Sequence, residues 1–289
     1  MSISLGSTNF GSLYLGSTKI GEAYLGSVKV YSSAPPDPNP LNLPPYTIRL
    51  KFTSGTTPSF SNGTAVQVSS SPNVWDLTYQ NSNWYNLVQN QPNLIEVLGA
   101  NTSSVTNMAD MFWNCSALTS VALFDTSAVT LMYYMFYQCS NLTSVPLFDT
   151  SAVTSMGSMF WKCSNLPSVP LFDTSAVTDM TYMFYQCKKL TSVPLFDTGA
   201  VTRMDRMFYE CTKLTSIPLF NTSSATNVEY MFGGCTFVQS GSLALYQQMS
   251  TQSVPPSNHT GCFNDCGWGT TTGLAELQQI PSSWGGWGA

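Results

Sequence analysis

His259, the one histidine of the chain, stands three residues before Cys262 and seven before Cys266. An imidazole and two thiols so placed are zinc-ligand types. A structural zinc site takes four ligands, however, and only Asp265 is near enough to add a donor. The alternatives for the pair are a local Cys262–Cys266 disulfide and free thiols. A hydrolase triad would have to use the same histidine with a serine and Asp265, inside a segment rich in Gly, Pro and Asn. The sequence contains no glycine-rich phosphate loop and no dinucleotide fingerprint. A glycosidase needs two carboxylates across a cleft. Asp125, Asp149, Asp173 and Asp197 instead recur at one place in a repeated phrase and read as turn residues. The reading is a non-enzymatic chain with no catalytic residue, no metal and no cofactor.

The repeated phrase is the strongest signal. Cys115, Cys139, Cys163, Cys187, Cys211 and Cys235 are each 24 residues apart. Around them runs Leu-Thr-Ser-Val-Pro-Leu-Phe-Asp-Thr-Ser-Ala-Val-Thr-x-Met-x-x-Met-Phe-x-x-Cys. A period of this length predicts a solenoid, in which each unit buries its apolar face only against its neighbours. Leu190-Thr-Ser-Val193-Pro-Leu195 has the L-x-x-L-x-L spacing of a strand, shortened to roughly three to four residues by its proline. Phe196-Asp-Thr is a turn, with Asp197 and Thr198 satisfying local backbone groups. Met204, Met207, Phe208 and Cys211 fall on one face of a helical turn or two, opposite Val201 and the strand leucines. The thioethers fill gaps between layers. In-register cysteines one coil apart point the same way and are poorly placed to bridge, so they read as buried reduced thiols.

Differences between copies crowd around this segment. They fall at Ala109/Asp110, Tyr133/Tyr134, Gly157/Ser158, Thr181/Tyr182, Asp205/Arg206 and Glu229/Tyr230. Beside them lies one aromatic per coil: Trp113, Tyr137, Trp161, Tyr185 and Tyr209. Stacked coils would turn these into a stripe with about 5 Å rise. Each ring is followed by a polar residue: Asn114, Gln138, Lys162, Gln186 or Glu210. Rigid rings with polar neighbours suit a glycan or protein ligand. The candidate ligand-binding residues are these five rings with Tyr134, Tyr182 and Arg206. The competing reading is that the rings pack on one another and shield the coils.

Around the repeat the chain divides as follows. Residues 1–31 are a short β-repeat in which Leu-Gly-Ser recurs at Leu5, Leu15 and Leu25, with strands over Glu22–Leu25 and Val28–Tyr31. It is too small for a core of its own and is expected to pair with other copies or another protein. Residues 32–45 are a proline-rich linker. Residues 46–93 form a β-rich N-terminal cap, with strands over Thr47–Phe52 and Ala65–Val68 and one short helix within Ser82–Asn90. The leucine-rich-repeat solenoid spans 94–243, its last copy starting at Val238 with Leu243 in register with Leu219. Residues 244–289 form a C-terminal cap with helices over Leu243–Ser250 and from Thr272 to Gln279. The fold class is therefore an α/β repeat of 24-residue units.

Hydrophobic residues make up 43% and charged residues only 9%. Ten basic against 15 acidic residues, a net charge of −5, argue against nucleic acid and against an anionic membrane surface. Met1–Ile20 has no continuous apolar stretch, no run of 18 apolar residues occurs, and Trp284–Ala289 shows no hydrophobic tail or basic stop, so no signal peptide, membrane span or sorting tail is expected.

Phe148-Asp-Thr-Ser-Ala-Val153-Thr-Ser-Met156-Gly-Ser-Met159-Phe160 and its copies resemble the leucine-rich repeats of BspA-like bacterial surface proteins, repeats also found in phage proteins. The resemblance covers roughly residues 94–243 and implies a binding scaffold. Tyr14–Ser27 resembles the opening of fibre-like structural proteins of tailed phages. Together the resemblances imply a fibre-like virion protein, of head or tail, that binds a host-surface glycan or protein. They further imply a homo-oligomer, by analogy a trimer, attached to another virion protein through residues 1–31. The alternatives are a bacterial cell-surface adhesin of the BspA-like type and a virion decoration protein with no receptor.

Overall fold

The computed structural model describes residues 41–288 and, before them, four short strands. The chain forms two compact units, Met1–Pro38 and Asn39–Ala289. In the first, β1 (Leu13–Leu15) pairs antiparallel with β2 (Thr18–Ile20), and β3 (Glu22–Leu25) pairs antiparallel with β4 (Val28–Ser32). Residues 33–40, most of the expected linker, lie outside the described residues, as do all three Leu-Gly-Ser glycines. At the other end of that linker Leu43 is buried, and its carbonyl accepts from Asn101 Nδ2 at 2.8 Å, so the second unit is already under way there.

The second unit opens with a five-stranded sheet of β5 (Thr47–Phe52), β6 (Thr64–Gln67), β7 (Val74–Thr78), β8 (Leu94–Asn101) and β9 (Ser120–Val121). Its order is β6-β7-β5-β8-β9, antiparallel except for β8 with β9. Alternation puts Ile48, Leu50 and Phe52 into the core and leaves Arg49 and Lys51 to pair with Asp76 and Glu96. The parallel β8–β9 ladder hands the sheet over to the repeat.

Past β9 the chain stacks in 24-residue coils. Parallel bridges join Asn83 to Asn107, then Leu131, Ser155, Asp179, Arg203 and Asn227, and finally Asn258. Each coil donates four backbone bonds to the next, as from Met132, Tyr134, Phe136 and Gln138 to the carbonyls of Ser155, Gly157, Met159 and Trp161 at 2.8–3.2 Å. Thr130, Thr154, Thr178 and Thr202 each bond back by N–H and Oγ1 to the carbonyl 24 residues earlier.

The Met-x-x-Met-Phe-x-x-Cys segment, for which the spacing predicts a helical turn or two, is not helical. Met135 N–H bonds to Met132 O and Cys139 N–H to Phe136 O, closing two successive turns. The third residue of each, Tyr134 (φ 55°) and Gln138 (φ 59°), is left-handed. The pattern recurs in every coil, from Asp110 and Asn114 to Arg206 and Glu210. A helix would turn all N–H groups along its own axis. These alternating turns aim every second one at the next coil. The inward set is unchanged: Met132, Met135, Phe136 and Cys139 are all fully buried.

The strand expected over Leu190–Leu195 is also absent. Among the described residues the ladder survives as a strand only at β9, where Ala122 donates its N–H to Val97 at 2.9 Å. Later coils have Pro146, Pro170, Pro194 or Pro218 in that place and no N–H to give. Of the two leucines in the phrase, Leu190 is buried, whereas Leu195 points outward and is 58% exposed.

Phenylalanine recurs every 12 residues from Phe112 to Phe232, giving two buried columns per stack. Rings in the first column lie 5.1–5.6 Å apart and within 10° of parallel.

The stack starts earlier and ends later than the repeat phrase indicates. The helix expected within Ser82–Asn90 is instead a first coil, in which Trp84, Leu87 and Val88 are buried at the places of Met108, Met111 and Phe112. At the far end, Leu243 belongs to α1 (Ser242–Thr251), an insertion, and the last coil resumes at Asn258. α2 (Thr271–Leu277) starts one residue before the expected Thr272 and ends two before Gln279. Thr270 caps it, its Oγ1 accepting from Gly273 N–H at 3.0 Å. Glu276 on α2 caps α1, accepting from Ser242 Oγ at 2.6 Å and Leu243 N–H at 3.1 Å.

Candidate functional site

Each aromatic of the stripe occupies the second place of the second turn in its coil, where the Cβ points outward while the Phe before it and the Cys that closes the turn point in. Stacking then brings the rings into one file. Trp113–Tyr137, Tyr137–Trp161, Trp161–Tyr185 and Tyr185–Tyr209 centroids are 5.7, 5.4, 4.7 and 5.1 Å apart. The rings are half-buried, with Trp113 the most open at 39%. Burial, with Glu210 and Tyr209 nearby, raises the Tyr185 phenol above its ordinary value.

A second column follows from the left-handed residue of the first turn. Tyr134 meets Tyr137 edge-on at 5.6 Å, and Tyr182 lies flat on Trp161 at 4.7 Å and 5°. Arg206 sits between the rings of Tyr182 and Tyr230, 5.6 and 5.3 Å from their centroids, and pairs with Glu229 at 3.1 Å. Burial pulls its guanidinium down, but Tyr182 and Glu229 together outweigh that and hold it above its ordinary value. All eight predicted residues thus fall on one continuous surface: five in the first column, three in the second. Contact between rings and partial exposure coexist in it.

Two shallow grooves flank the file. One, of about 370 Å³, is lined by Asn114, Gln138, Lys162 and Gln186, with Ser140, Ser164 and Lys188 across from them. The other, of about 380 Å³, forms where Gly157 and Ser158, the smallest pair among the variable positions, interrupt the second column between Tyr134 and Tyr182. Tyr133, Ser155, Asp179, Thr181 and Arg203 complete it. Repeat comparison had singled out Gly157/Ser158 as variable but gave no reason to count them as floor. Ser155, Asp179 and Arg203 escaped it because they occupy the bridge position, whose outward aim depends on the turn geometry. Rings for stacking, with amides, hydroxyls, a carboxylate and cations at their edges, can hold and orient a ligand by contact and hydrogen bonding.

The histidine and cysteine cluster resolves differently. Cys262 and Cys266 take the places of Met231 and Cys235 in the last coil, both buried and both free thiols. His259 stacks on Trp284 at 4.0 Å. Among the described residues no three His, Cys, Asp or Glu side chains converge as a metal site. The six spaced cysteines are buried free thiols as well. Thr198 differs in detail from its expected role: Asp197 accepts locally from Gly199 N–H at 3.0 Å, but Thr198 Oγ1 reaches across to Asn221 O at 2.8 Å.

The family described as "Mycoplasma protein of unknown function, DUF285" matches residues 82–192 and again 141–246. Its match begins at the first coil seen in the structure. No curated protein and no solved structure matches the chain.

Proposed function

The chain belongs to the DUF285 family, and from that premise we propose that it is a non-enzymatic, fibre-like virion structural protein. Its coil stack is read as a solenoid of the leucine-rich-repeat class, extended by residues 82–93 and by the coil at Asn258. The stack binds a glycan or protein on a host surface. Residues 1–31 attach it to another virion protein or knit its copies into a homo-oligomer.

One observation carries the binding reading. Five rings stand within 4.7–5.7 Å of their neighbours in an unbroken, half-exposed file, with a polar groove on each side. Rings needed only as packing would be expected to close over completely, as both phenylalanine columns do. A long, regular, partly open aromatic surface suits a repeating ligand better than a single small molecule.

Three measurements test the proposal. The isolated protein should block adsorption of the phage that carries it, and mass spectrometry should find it in purified virions. Trp161→Ala with Tyr185→Ala should abolish cell binding while the melting curve moves little. A large loss of stability with binding retained would make the file a packing device and end the binding reading. The second reading, a bacterial cell-surface adhesin of the BspA-like type, draws on the family match. Recovery of the protein from bacterial envelopes but not from virions would select it.

A further inference from the structure

We propose that a second copy of this chain lies alongside the first, running parallel to it, with the leucine column of each coil stack as the seam. The proposal gives a surface to the self-association in the functional reading above and rests on that part of it. It is independent of what the aromatic file binds.

The seam is Leu147, Leu171, Leu195 and Leu219, which are 54–59% exposed. They follow one another at one-coil intervals, hence about 5 Å apart. Exposed leucines scattered singly would need no explanation. Four in line, each beside a half-buried proline, present on the order of 400 Å² of apolar surface, the size of a functional patch. The repeat does not need them for its own core. Leu142, Leu166, Leu190 and Leu214 fill that role and are fully buried.

The occupant follows from pitch and charge. A surface that repeats every coil is matched along its whole length by another surface with the same repeat, which a second copy supplies. The seam's two flanks differ. On one side Asp149, Asp173 and Asp197 form an exposed acidic column. On the other stand uncharged residues such as Thr143 and Thr191, with exposed Lys189 and Lys213 beyond them. An antiparallel pair would lay acid column on acid column. A two-fold axis along the stack lays the acid column of each copy against the uncharged and basic flank of the other. With those flanks included, the buried area can approach the roughly 800 Å² per partner of a standard interface.

The test uses the full chain and a single new thiol. The eight native cysteines are buried and free, so a surface cysteine is selectively oxidised. In a parallel pair position 171 faces its own equivalent, so Leu171→Cys should form a covalent dimer at least tenfold faster than Val254→Cys, a control at a 73% exposed site. Leu171→Cys mixed with Leu195→Cys should give no faster heterodimer than the control. Preferential 171–195 coupling would overturn the parallel arrangement. Native mass separates the remaining outcomes. An oligomer in which Leu171→Cys couples no faster than the control overturns the leucine seam while leaving self-association standing. A monomer at micromolar concentration overturns both.

Discussion

The thiol of Cys163 donates to the carbonyl of Phe136, 27 residues earlier and 3.1 Å away. That carbonyl already closes the turn of its own coil by accepting from Cys139 N–H. The same bond recurs from Cys115 to Cys235, at 3.0–3.2 Å in each case. The cysteine spacing therefore marks a link between coils, formed one coil and one turn apart.

Cys163→Ala removes that donor and leaves a small cavity in a coil whose neighbours cannot collapse onto it. A loss of about 1–2 kcal/mol is expected. For a chain of this size that is a fall of about 2–4 °C in thermal midpoint. A calorimetric scan that does not move would show that neither the thiol's bond nor the volume it fills stabilises the stack.

Burial pushes all eight thiols up, Cys115 and Cys235 to about 12. An unfolded thiol titrates near 8.5, so only the unfolded chain loses these protons as pH first rises. The stabilisation is thus complete below about pH 8.5 and is lost on the way to about 12, at up to ~1.4 kcal/mol per thiol per pH unit. The urea midpoint should fall steeply between pH 8.5 and 10.5. A flat profile there would mean that the thiols ionise in place.

Lys162 holds φ at 61° while its N–H bonds to Tyr185 O at 2.7 Å. Glycine already occupies the equivalent place at Gly234. Lys162→Gly should stabilise the fold by about 0.5–1 kcal/mol by relieving the left-handed strain. Lys162→Pro, which forbids that φ and deletes the N–H, should cost about 3 kcal/mol or more. Equal effects in denaturant titrations would refute the turn geometry.

Leu190 and Leu195 share one phrase but not one environment. Leu190→Ala should cost about 2–5 kcal/mol. Leu195→Ala, at a site 58% exposed, should cost less than about 1 kcal/mol when measured on dissociated chains. Similar losses for both would place Leu195 in the core and remove the proposed seam.

Periodicity was enough to locate the repeat, its cysteines, its buried Met–Met–Phe–Cys set and the aromatic file. These depend only on the fact that identical phrases stack in register. It misjudged the local backbone because residues at 0, 3, 4 and 7 face one way in a helix and also in two consecutive turns with left-handed third residues. The first coil went unread because Trp84, Leu87 and Val88 stand in for methionines and phenylalanine. The last was obscured by α1, which lengthens the step from Asn227 to Asn258 from 24 residues to 31.

The sequence alone settled that one unit is copied and which side chains recur together, since a period is a property of letters in a row. Only the tertiary structure decided which carbonyl each coil's N–H groups reach. That choice sets the left-handed turns, turns Leu195 outward while Leu190 stays inside, and leaves Gly157 and Ser158 as the floor of a groove. Backbone hydrogen bonding between coils is not written in any single unit, because it exists only once two units meet.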